Sequence, residues 1–134
     1  MLVDDDLDLL RLAKTALERA GFQVDARAEA PTWDDLQRVH PAVVFMDIEL
    51  KGENGVDICQ AIKTNGRAAH LPIILISGHG EDRLKDEAER CKADGFLSKP
   101  FSTKLLVKLA EHYTELAAEP LPVLGSRPHV VPSS

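Results

Sequence analysis

Two periods of apolar residues alternate along this chain. Met1 to Val3 is a very short apolar run. Leu7, Leu10, Ala13, Leu17 and Ala20 follow at helical spacing, and Gly21 stands where a helix C-terminal cap belongs. Phe22, Val24 and Ala26 alternate as a second strand does. Thr32 to His40 reads as a weaker helix, halted before Pro41. Ala42 to Met46 is continuously apolar, which predicts a strand buried on both faces. Val56 to Thr64 predicts a helix closed by Asn65 and Gly66, and Ile73 to Ile76 a fourth, buried strand. Asp82 to Ala93 predicts a helix and Gly95 to Ser98 a fifth strand. Ser102 caps a last helix running to about Glu119.

Five repeats of strand and helix predict an α/β fold: a doubly wound, five-stranded parallel sheet with helices on both faces. Right-handed crossovers then bring every strand C-terminus to one edge, where ligands bind in such folds. The chain of 134 residues is one domain by size. We place that domain at residues 1–119. Residues 120–134 carry four prolines and no period, and read as a tail or linker.

Composition narrows the function classes. The net charge of −6 argues against nucleic-acid binding by this domain, because phosphate backbones call for clustered Lys and Arg. Cys59 and Cys91 stand far apart without metal-ligand spacing and read as reduced thiols. The start has no basic, apolar signal segment, and no apolar run approaches a membrane span. The expected location is the cytoplasm, with no membrane partner.

The chemistry gathers at the predicted strand ends. Asp47 closes the Ala42–Met46 run, Asp4 and Asp5 follow the first run, Ser77 follows Ile76, and Lys99 follows Ser98. A strand-end aspartate alone is common in α/β proteins. Two further carboxylates at the same edge repel it, and such clusters hold a hard cation such as Mg²⁺. Asp6 and Asp8 fit helix N-capping instead. Lys99, set by Pro100, can neutralise a phosphoryl oxygen, and the Ser77 hydroxyl, beside Gly78, can reach the same oxygens. Three carboxylates and one ammonium suit magnesium-dependent phosphoryl transfer.

These segments, taken in order, resemble a response-regulator receiver domain of two-component signalling. The resemblance runs from Met1 to about Glu119. It rests on Leu2-Val3-Asp4-Asp5-Asp6, Met46-Asp47-Ile48-Glu49-Leu50 with Asn54-Gly55, Leu71 to Ser77, and Lys99-Pro100-Phe101. It implies a flavodoxin-like strand order, 2-1-3-4-5. It implies that Asp47 takes a phosphoryl group from a histidine kinase or phosphotransfer protein. Mg²⁺ would bind Asp5, Asp47 and the backbone carbonyl of Glu49, with Asp4 supporting through water. Ser77 and Lys99 would hold the phosphoryl oxygens, and Phe96 stands at the switch-aromatic position. The face made by Asp82 to Ala93, Gly95 to Ser98 and Ser102 to Glu119 would then change shape and bind a partner or a second copy. Glu49 and His79, each two residues past a site residue, would tune the phosphoryl lifetime.

The chain departs from the family pattern in three places. The first strand is short, which implies a trimmed start or marginal stability. Lys51 stands where proline is usual, and Lys92 where a helix-ending glycine is usual. A left-handed Lys92 would cost about 1–2 kcal/mol. Two other readings compete. Asp4-x-Asp6, Ser77 and Lys99 also resemble a haloacid-dehalogenase-like phosphotransferase, but no acidic motif follows Lys99 except helical glutamates, and little chain is left for a substrate cap. A degenerate receiver used only for docking would not need Asp4, Asp5, Asp47, Ser77 and Lys99 intact. The expectation is a phosphoacceptor rather than an enzyme with a turned-over substrate.

Overall fold

The structure, a computed structural model, describes residues 1–118. The expected domain end at Glu119 and the tail from Pro120 lie outside them. Five strands form a parallel sheet: β1 (Leu2–Val3), β2 (Ala26–Arg27), β3 (Val44–Asp47), β6 (Ile73–Ser77) and β7 (Gly95–Ser98). Their spatial order is β2-β1-β3-β6-β7. Counted along the sheet strands alone, this is the expected 2-1-3-4-5. Every residue of β3 and β6 is buried, as continuous apolar runs require in a sheet covered on both faces.

Two apolar clusters lie on opposite sides of the sheet. Helices α2 (Trp33–Val39), α3 (Gly55–Lys63) and α4 (Glu81–Cys91) cover Val44, Met46, Ile73 and Leu75. Helices α1 (Leu7–Arg19) and α5 (Thr103–Ala118) cover Phe45, Ile74, Ile76 and Leu97. The alternation of β3 and β6 residues between the clusters is the strand period of two.

Local chemistry sets the helix ends. The Asp6 carboxylate accepts from Asp8 and Leu9 N–H, which makes it the cap of α1. Asp8 instead lies in the first turn, where a negative charge suits the helix dipole. Thr32 and Asp35 form a reciprocal capping box on α2. Ser102 Oγ accepts from Leu105 N–H at 3.1 Å at the start of α5. Lys92 ends α4 at φ 62°, ψ 35°, so the left-handed backbone expected there is present without its glycine. His40 ends α2 in the same region, at φ 52°.

Three features differ from the sequence reading. The second strand spans Ala26–Arg27 rather than starting at Phe22, because its partner β1 offers only two residues, Leu2 opposite Ala26 and Val3 opposite Arg27. Phe22 and Val24 instead pack on the α1–α5 cluster. A small antiparallel hairpin, β4 (Glu49–Leu50) with β5 (Glu53–Asn54), stands between β3 and α3. Cys59 and Cys91, distant in sequence, meet in the core: Cys59 Sγ donates to the Cys91 carbonyl at 3.7 Å, and both are free thiols. No helix among the described residues is long and apolar enough to cross a membrane.

Candidate functional site

The C-terminal ends of β1, β3, β6 and β7 converge at one rim, where the loop after β1 brings Asp4 and Asp5 beside Asp47. One carboxylate oxygen from each of these three lies within 4.8 Å of the others. Asp4 and Asp47 are almost fully buried, at 1% and 3% exposure, and Asp5 is half-buried. Asp4 Oδ1 accepts from Asp6 N–H at 2.9 Å. Its other oxygen is 3.1 Å from Lys99 Nζ, an ion pair without hydrogen-bond alignment. Asp47 Oδ1 accepts from Glu49 N–H at 3.1 Å.

Gly55 explains why the loop after β3 can close so tightly. A Cβ there would lie 2.8 Å from Ile48 Cα and would collide with the Asp47 carbonyl. Gly55 N–H donates to the Ile48 carbonyl at 2.7 Å, and the Asn54 side chain accepts from Val56 N–H to cap α3. The hairpin and this cap fix the direction in which Asp47 leaves the sheet.

Lys99 opens the segment between β7 and α5, its peptide bond to Pro100 being cis. Its Nζ stands 3.4 Å from Asp47 Oδ2. Burial works against the ammonium, but Asp4 and Asp47 outweigh it and hold its pKa above the ordinary lysine value. One ammonium does not neutralise the group. Burial pushes the Asp47 pKa up to about 6, against the Glu49 N–H, which favours the ionised form. Asp4 adds to the rise, and Lys99 only partly offsets it. A buried acid with surplus negative charge and a carboxylate oxygen lacking a hydrogen bond fits a divalent cation.

The other expected site residues fall around this centre. Ser77 is fully buried at the end of β6, and its Oγ accepts from His79 N–H at 3.0 Å. His79 Nε2 is 2.6 Å from Glu49 Oε2, so the two residues expected to tune lifetime are in direct contact. Phe96 is partly buried on β7 and packs with the α3–α4 cluster. Sequence reasoning missed Glu87, a buried acid of α4 whose Oε1 faces His79 Nδ1 at 4.0 Å. Its signal was present: Glu87 lies in the stripe Leu84, Ala88, Cys91, where helical spacing predicts burial. A separate cavity of about 580 Å³ lies at the opposite end of the strands and holds none of these residues.

The parallel sheet thus carries an acidic cluster and a lysine together at its C-terminal rim, the edge where ligands bind in such folds. The family model of the response regulator receiver domain matches residues 1–111. The chain belongs to this family, whose members act in two-component signalling. It is 32% identical over 108 residues to the transcriptional regulatory protein GltR of Pseudomonas aeruginosa, covering 80% of this chain and 45% of that one. It is 35% identical over 108 residues to the C4-dicarboxylate transport transcriptional regulatory protein DctD of Pseudomonas aeruginosa, covering 80% of this chain and 23% of that one. The chain thus spans less than half the length of these relatives. The receiver domain of NtrX from Brucella abortus is similar at 31% identity and a TM-score of 0.70, covering 85% of this chain and 96% of that one. The chemotaxis response regulator CheY4 of Vibrio cholerae shares the fold, with a TM-score of 0.69 at 23% identity, over 84% of this chain and 94% of that one. Receivers generally bind Mg²⁺ in an acidic pocket, and the described residues contain such a cluster. The family is in general not enzymatic, and membership implies a phosphodonor kinase as partner.

Proposed function

We propose that Asp47 accepts a phosphoryl group from a histidine kinase or a histidine phosphotransfer protein, and that the face of α4, β7 and α5 responds. The observation that carries this reading is the Asp47 carboxylate itself: buried, charge-frustrated, and beside both Lys99 and the Asp4–Asp5 pair. An Asp47 oxygen attacks phosphorus as the phosphorus–nitrogen bond to the donor imidazole breaks, and the imidazole leaves with the bonding pair. Asp5, Asp47 and the Glu49 carbonyl would hold Mg²⁺, with Asp4 supporting, and the ion would supply positive charge to the phosphoryl oxygens. Lys99, whose Nζ is 3.1 Å from Asp4 Oδ2 and 3.4 Å from Asp47 Oδ2, adds a second positive charge. The Ser77 hydroxyl can donate to a phosphoryl oxygen, a charge-assisted bond that strengthens as charge arrives.

Movement of Ser77 frees space under α4. Phe96 carries no hydroxyl, so turning inward buries its ring without breaking a hydrogen bond. The face of α4, β7 and α5 then binds its partner, or a second copy of the chain, more tightly in the phosphorylated state. Glu49 and His79, in contact at 2.6 Å beside the site, tune how fast water reaches the phosphoryl group.

Incubation with acetyl phosphate and Mg²⁺ tests this reading. One acid-stable, base-labile phosphoryl group per chain is expected, and none on the Asp47→Asn variant. Equal labelling of that variant would sink the assignment. Steady turnover of a small phosphate ester would instead mark a phosphotransferase.

A further inference from the structure

His79 lies between Gly78 and Gly80 in the segment joining β6 to α4. Each nitrogen of its ring has a carboxylate of its own to face. Nε2 is 2.6 Å from Glu49 Oε2, an exposed side chain at the rim. Nδ1 looks the other way, toward Glu87 Oε1 on α4, at 4.0 Å. That separation is too long for a hydrogen bond. Both atoms are buried, and neither has a hydrogen-bond partner among the described residues. Arg83 Nε is 3.8 Å from the same Glu87 oxygen, also beyond bonding range, and belongs to a mostly exposed side chain. Buried polar atoms without partners are rare because each has given up water for nothing. Closing this gap by about 1 Å would satisfy both.

What holds them apart lies on the rim side. Glu49 grips the ring, and the His79 backbone N–H donates to Ser77 Oγ at 3.0 Å. The Ser77 contact ties His79 to the hydroxyl expected to turn toward a phosphoryl group. Little side-chain bonding holds the flanking backbone: Gly80 sits at φ 100°, a region glycine enters without strain, and α4 has no side-chain cap there. His79 therefore has two alternative acceptors, one over the site and one on the helix that must respond to it.

We infer that Glu87 is a positioning residue that takes His79 from Glu49 when Asp47 is phosphorylated. The inference rests on the reading of Asp47 as phosphoacceptor. As Ser77 turns to the phosphoryl oxygens, its hold on the His79 N–H loosens. The ring leaves Glu49, its single proton passes from Nε2 to Nδ1 by exchange with solvent, and Nδ1–H donates to Glu87, drawing the β6–α4 segment onto the helix. The swing also uncovers the mouth of the site. Glu87 thus joins two outcomes, the state of α4 and the rate at which water reaches the phosphoryl group.

The test uses the full 134-residue chain, loaded from acetyl phosphate with Mg²⁺, and follows phosphoryl loss in wild type, Glu87→Ala, Glu87→Gln and His79→Ala. Glu87→Ala should prolong the phosphoryl group several-fold, because His79 stays on Glu49. Glu87→Gln keeps an acceptor oxygen and should remain near wild type. His79→Ala leaves the mouth open, as the swing does, and should not lengthen the lifetime. Nitrogen-15 spectra of histidine supply a second readout: beryllofluoride should bring out a slowly exchanging Nδ1 proton in wild type and not in Glu87→Ala. A purely structural glutamate predicts the reverse pattern, with Glu87→Ala losing phosphate as fast as wild type or faster, and that result overturns the inference. Where Glu87→Ala does not fold, the wild-type spectrum decides, and silence at Nδ1 overturns the inference. A wild-type chain that labels but stays silent removes only the role of Glu87; one that takes no label removes the reading of Asp47 as well.

Discussion

Replacing Asp47 by Asn should make the cation-free protein more stable, and pH should control by how much. The Asp47 carboxyl titrates near 6 in the folded chain, pushed up mainly by burial. In the unfolded chain an aspartate titrates near about 3.9. A folded-state pKa raised above the unfolded one gives stability that is present below about 4 and lost as pH rises through about 6. A rise of that size corresponds to at most about 2.9 kcal/mol of strain once the carboxyl is fully ionised. Asp4 shares that strain, and Lys99 loses a partner in the variant, so a net gain of about 1–2 kcal/mol is the expectation. For a domain of this size that is roughly 3–8 °C in melting temperature. The amide also keeps an oxygen to accept the Glu49 N–H, now made to Asp47 Oδ1 at 3.1 Å.

Thermal melts of both proteins at pH 4.5, 6 and 8, with chelator and with Mg²⁺, are the assay. The gap between Asp47→Asn and wild type should be small at the lowest pH and level off above neutrality. Mg²⁺ at ten times its dissociation constant should return about 1.4 kcal/mol to wild type. The variant should gain much less, having lost one of the three carboxylates. A variant less stable than wild type at pH 8, or a gap that ignores pH, would refute the charge argument. So would an equal Mg²⁺ response in both proteins.

Three other substitutions probe the scaffold. Lys92→Gly should raise stability by about 1 kcal/mol, because the left-handed backbone at φ 62° ceases to strain a Cβ; an unchanged urea midpoint would contradict this. Gly55→Ala should destabilise by about 2 kcal/mol or more and weaken Mg²⁺ binding, since the added methyl collides with backbone at Asp47 and Ile48; wild-type melting and Mg²⁺ response would show that the loop relaxes freely. Lys63→Met should cost about 2–3 kcal/mol, because the nearly buried ammonium bonds the Leu71 carbonyl at 2.8 Å and Asp94 Oδ2 at 2.6 Å. A loss below about 0.5 kcal/mol in urea unfolding would place it with ordinary surface ion pairs.

How much was legible in the sequence depended on whether a residue's role was local. Ala42 to Met46, Ile73 to Ile76 and Gly95 to Ser98 announced their strands because a parallel sheet under helices needs uninterrupted apolar runs. Asp4, Asp5, Asp47, Ser77 and Lys99 could be gathered from sequence because parallel topology sends every strand end to one rim. The hairpin of Glu49–Leu50 with Glu53–Asn54 gave no such signal, each of its strands being two residues long and too short for a period. The Lys63–Asp94 link and the meeting of Cys59 with Cys91 were equally silent, since both depend on how α3 packs against the end of α4 and the segment that follows it.

Glu87 marks the boundary between these cases. Its helical register with Leu84 and Cys91 placed it on the buried side of α4, so burial could be read. What it faces could not, because His79 comes from a different element and is oriented by Glu49 from a third. A buried acid on a switching helix is costly unless some state of the protein gives it a partner. Here the only ring nitrogen within 4.0 Å of it among the described residues belongs to His79, whose backbone N–H is bonded to Ser77 Oγ at the rim, so the partner inferred for Glu87 is one that the rim itself holds.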